Sequence, residues 1–94
     1  MENRKSVELK PVYVELIPEK LEQDVLYISE KYEIAIHLCL CGCGGLAVTP
    51  IDKKTGWKLT KHENGKVSLH PSIGNYQLEC KSHYILTENI AKFV

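Results

Sequence analysis

Apolar and polar positions alternate with a period of two along most of this chain, and no segment holds the 3.6-residue period of an amphipathic helix. "VYVELI" (12–17), "VLYIS" (25–29) and "EIAIHLC" (33–39) read as the first three strands, separated by the charged, proline-led "PEKLEQD" (18–24), a turn or one short helical turn, and by a short polar stretch. In the third strand Ile34, Ile36, Leu38 and Leu40 share one face, and Ala35, His37, Cys39 and Cys41 share the other. "LAVTPI" (46–51) returns after a glycine-rich turn. "WKLT" (57–60) and "KVSL" (66–69) flank Asn64-Gly65, a strong short-hairpin signal. "HPSIGNY" (70–76) reads as an ordered loop because it holds Pro and Gly. "HYILT" (83–87) and "IAKFV" (90–94) are rich in β-formers and joined by a turn at Glu88-Asn89. Residues 1–10 are polar and expected to be frayed.

This pattern predicts a mainly β protein over residues 1–94: a small antiparallel domain, sandwich or rolled sheet, without an internal repeat or a linker. At 94 residues the core is modest, so a bound metal would add useful stability. Twelve basic and twelve acidic residues cancel, which removes the electrostatic case for nucleic-acid or membrane-surface binding. No run has the length of a membrane span or a signal peptide, so a cytoplasmic location is expected. Thiols stay reduced there, and clustered cysteines bind metal more often than they form disulfides.

Three of the four cysteines stand in "HLCLCGCGG" (37–45), and the fourth is in "ECKSHY" (79–84). Gly42 and Gly44 let the chain bend so that Cys39, Cys41 and Cys43 converge. Cys80 and His83 have the two-residue spacing of a second chelating pair. Five candidates thus compete for four positions: a four-cysteine site leaves His83 unused, whereas a three-cysteine, one-histidine site leaves one clustered cysteine out. His37 is a weaker sixth. A thiolate-rich cage is a closed structural zinc site, because crowded thiolates quench the ion's Lewis acidity.

A second group of residues carries different chemistry. Ser72 stands in "PSIGN" between Pro71 and Gly74, where backbone N–H groups near Gly74 and the Asn75 amide have the makings of an oxyanion site. Ser72 with His83 forms a candidate nucleophile–base pair, provided that the cysteines alone hold the metal. The competing reading makes "PSIGN" a turn and His83 the fourth ligand. Ser68 and Ser82 are further hydroxyls, though Ser82 points away from its neighbour His83 in an extended segment. His62 and His70 read as surface residues; Tyr27, Trp57 and Tyr84 read as core or rim aromatics. Glu79 is a weak candidate for a third, orienting group.

The blocks "CGCG", "PSIGN" and "C-x-S-H", from about Val25 to the end, resemble a bacterial domain family of unknown function. Its genes lie beside those for ubiquitin-like proteins, multi-ubiquitin chains included, and for the enzymes that activate and conjugate them. The resemblance implies a zinc-containing, atypical serine-type peptidase that processes or removes a ubiquitin-like protein. It carries metal-ligand status onto Cys39, Cys41, Cys43 and Cys80, a nucleophile role onto Ser72 and a base role onto His83. The alternative is a non-catalytic zinc module that recruits or regulates a partner in the same conjugation pathway. His83 separates the two, since a zinc ligand cannot also be a base.

Overall fold

The computed structural model describes residues 6–52, 56–74 and 82–94, so Asn75, Glu79 and Cys80 lie outside the described residues. Nine strands occur among them: β1 (Ser6–Glu8), β2 (Lys10–Tyr13), β3 (Val25–Ser29), β4 (Ile34–Leu38), β5 (Leu46–Pro50), β6 (Lys58–Lys61), β7 (Val67–Gly74), β8 (His83–Thr87) and β9 (Ile90–Phe93). They form a five-stranded sheet in the order β1-β9-β8-β7-β6 and a four-stranded sheet in the order β2-β3-β4-β5. All pairings are antiparallel except β2 with β3. The core lies between the sheets, where Leu26, Ile28 and Ala35 from one meet Leu69, Ile73, Tyr84, Leu86 and Ala91 from the other. This is the mainly β sandwich that the alternation predicts.

Residues 6–10 depart from the frayed terminus expected of them. Val7 is 4% exposed and Leu9 2%, and each such burial stabilises by roughly 1.5–3 kcal/mol. That is enough to hold a short polar-flanked strand against β9, after which the chain crosses at Leu9 into the other sheet. The strand expected over 12–17 correspondingly starts earlier and ends at Tyr13, with Leu16 left in solvent. Pro11 is tolerated within it because β2 is an edge strand.

The hairpin turns obey local chemistry. Gly65 adopts φ 84° in the Asn64-Gly65 turn, and Glu88 and Asn89 take φ 45° and 70° between β8 and β9. Of the two faces of β4 the buried one holds Ala35 and His37, while Ile34, Ile36 and Leu38 are half-buried outside. On β5, Ala47 and Thr49 face the core and Leu46 and Val48 stand in solvent. On β5, packing against the opposite sheet selects the smaller residues over the larger ones.

The segment expected to be a loop at 70–76 is strand as far as Gly74. β7 runs through His70-Pro71, a cis peptide, and its register against β8 shifts between Leu69 and Ile73. Leu69 pairs with Leu86 and Ile73 with Tyr84, so β7 spends four residues where β8 spends two. Such an irregularity re-aims side chains, and Ser72 lies inside it.

Candidate active site and thiol cluster

The bulge decides what Ser72 meets. Gly74 is directly opposite His83 in the ladder, which makes Ser72 the diagonal neighbour of His83 on the same face. Gly74 brings no side chain to that face, so the imidazole leans across to Ser72. The Ser72 Oγ lies 2.6 Å from His83 Nε2, and both residues are half-buried. On the other side of the strand, Trp57 Nε1–H donates to the Ser72 carbonyl at 3.3 Å, tying the serine's backbone to the residue before β6. A serine oxygen within hydrogen-bond reach of an imidazole nitrogen meets one requirement of an activated nucleophile.

The thiols gather on the far side of β8. Cys39 follows directly on β4 and opens a tight turn in which Gly42 N–H donates to the Cys39 carbonyl at 3.1 Å and Cys39 N–H to the Gly45 carbonyl at 2.8 Å. Gly42 and Gly44 take φ 89° and 82°, a left-handed conformation that side chains resist, so these glycines set the bend. The three sulfurs of Cys39, Cys41 and Cys43 lie within 4.8 Å of one another, with Cys39 and Cys41 3.4 Å apart. Four thiolates at about 2.3 Å from a tetrahedral ion stand about 3.8 Å from each other, so the cluster fits three corners of such a site. Cys39 is buried and the other two are exposed. The fourth expected cysteine, Cys80, lies outside the described residues.

The remaining histidines divide cleanly. His37 is fully buried in β4, outside the thiol cluster, and its Nε2 stands 2.7 Å from Tyr84 Oη. Burial pushes His37 down to about 4, so it is neutral at pH 7, and its Nδ1 is a buried ring nitrogen with no hydrogen-bond partner among the described residues. His70 is exposed, as expected. His62 is not the free surface residue expected of it: its Nε2 lies 2.8 Å from the Oγ of the buried Ser68. The hairpin signal at Asn64-Gly65 was the clue, because it brings residues 60–62 back against 66–68. Ser82 does point away from His83, with its Oγ 3.0 Å from Cys39 Sγ.

A family model described as "Bacterial ubiquitination-like system serine protease (BubE)" matches residues 13–94. The comparisons with curated proteins and with solved structures find no match. The match spans most of the chain and includes both the thiol turn and the Ser72 strand. The chain therefore belongs to this family of serine proteases of bacterial ubiquitination-like systems.

Proposed function

We propose that the protein is a serine protease acting on a ubiquitin-like protein, with Ser72 as nucleophile and His83 as base. The observation that carries this reading is the 2.6 Å approach of Ser72 Oγ to His83 Nε2 in a half-buried position on the face of the five-stranded sheet. With its proton on Nδ1, His83 accepts the Ser72 hydroxyl proton at Nε2 as Oγ attacks the carbonyl carbon of the scissile bond. The resulting oxyanion is held by backbone N–H groups near Gly74, with the Asn75 amide as a second donor. Collapse expels the leaving amine, which takes the proton from His83 and leaves an acyl ester on Ser72. Water then attacks the ester, giving up a proton to His83, and the ubiquitin-like chain departs as a carboxylate while Ser72 regains its proton.

Cys39, Cys41 and Cys43 would hold a zinc ion together with Cys80, and the ion would supply cross-linking, not Lewis acidity, at such a thiolate cage. This arrangement leaves His83 for Ser72. Reduced thiols fit a cytoplasmic protein working beside the activating and conjugating enzymes of its pathway. The test is to incubate the protein with a ubiquitin-like protein bearing a C-terminal extension and with its conjugates. Cleavage by the wild type, lost in Ser72→Ala, is the expected result. Undiminished cleavage by Ser72→Ala removes Ser72 as the nucleophile.

A further inference from the structure

Ser82 joins the two clusters. It immediately precedes His83, and consecutive residues of an extended chain point to opposite sides. His83 therefore faces Ser72 while Ser82 faces inward, with its Oγ 3.0 Å from Cys39 Sγ. Ser82 is 9% exposed and Cys39 fully buried, whereas Cys41 and Cys43 are exposed to water. Two residues further along β8, Tyr84 also faces inward and meets His37, which stands two residues before Cys39. The buried contacts His37–Tyr84 and Cys39–Ser82 are thus two successive rungs that clasp the thiol turn of one sheet to the start of β8 in the other.

The direction of the second rung follows from the chemistry of sulfur. A metal-bound cysteine is a thiolate, with negative charge and no proton to give, so the hydroxyl must be the donor. Cys41 and Cys43 stand at the surface, whereas the buried Cys39 sulfur depends on the ion and on donors from the protein. Resting on the reading of these cysteines as metal ligands, we infer that Ser82 is a positioning residue whose hydroxyl donates to the Cys39 thiolate, strengthens metal retention, and fixes the entry of the strand that carries His83. Partners of this kind outside the ligand set typically change metal affinity by about 10–100-fold.

The experiment compares Ser82→Thr with Ser82→Val, which differ only by a hydroxyl against a methyl group, in the full chain. Each is titrated with Co2+ and then competed with a chelator, and Cys39→Ser serves as the ligand control. Wild type and Ser82→Thr are expected to bind Co2+ with the same affinity. Ser82→Val is expected to bind about 10–100-fold more weakly. Its thiolate-to-cobalt charge-transfer band should also move to longer wavelength, because loss of the donated hydrogen bond raises the energy of the sulfur lone pairs. A purely steric role would leave that band in place. Equal affinity and identical spectra for the Thr and Val variants overturn the role of Ser82 while leaving the metal site standing. Failure of the wild type to bind Co2+, or equal binding by Cys39→Ser, overturns the metal reading and this inference with it.

Discussion

Strand β7 carries two serine–histidine contacts of nearly equal length, and their surroundings differ. Ser68 Oγ lies 2.8 Å from His62 Nε2, and Ser72 Oγ 2.6 Å from His83 Nε2. Ser68 is 1% exposed, and its oxygen also accepts the Glu88 N–H at 2.8 Å. Beside it, Asn89 Oδ1 accepts the Val67 N–H, and the Asn89 N–H donates to the Val67 carbonyl. Ser68 is therefore a peg that fastens the β8–β9 turn to the start of β7. Ser72 has His83 as its side-chain partner, sits half-buried, and lies within a break in the ladder. A short oxygen–nitrogen distance does not make a nucleophile; the oxygen must also be reachable and not already committed to the backbone.

The sharpest way to break this comparison is to remove each hydroxyl. Ser72→Ala should lower cleavage of a ubiquitin-like precursor by at least about 10³-fold, with an unchanged thermal midpoint. An agent that acylates or phosphonylates active serines should label the wild type at Ser72 and leave Ser68 untouched, as read by peptide mass mapping. Next in size is His83→Gln, expected to lose roughly 10²–10⁴-fold in rate while keeping its full metal content. Loss of metal in that variant would instead place His83 among the ligands. Ser68→Ala should leave the rate alone and destabilise by about 1–3 kcal/mol, because the Glu88 N–H loses its acceptor. In a chain of this size each kcal/mol lowers the midpoint by roughly 4–8 °C, which calorimetry resolves. The smallest effect belongs to His62→Gln, about 1 kcal/mol or less, since this half-buried residue supports Ser68 from one side only. If His62→Gln or Ser68→Ala abolished cleavage with the fold intact, the assignment of the two pairs would be reversed.

Much of the candidate site was legible before folding because its parts are local. Three cysteines within five positions, with Gly42 between the last two and Gly44 after them, can come together through a turn of a few residues, and Gly42 and Gly44 adopt the positive φ that such a turn demands. The opposite orientations of Ser82 and His83 follow from strand alternation alone. The loop expected at 70–76 failed for an identifiable reason: Pro and Gly are ordinary turn markers, yet they also occur where a strand bulges, and β7 is held as a strand by pairing with β8 up to Gly74. His62 departs from the surface residue expected of it because its partner is fixed by the register of a hairpin and not by its own neighbours in the chain.

The sequence by itself determined the β class, the Asn64-Gly65 and Glu88-Asn89 turns, and the convergence of Cys39, Cys41 and Cys43. These rest on backbone preferences that act over a few residues. Tertiary structure alone decided that Ala47 and Thr49 enter the core while Leu46 and Val48 stay outside, and that residues 6–8 join β9. It also decided which serine meets which histidine. A ladder without the bulge would set Ser72 directly opposite His83; the shifted register puts Gly74 there and makes the contact a diagonal one. Such a choice depends on the packing of two sheets against one core, which no stretch of a few residues contains.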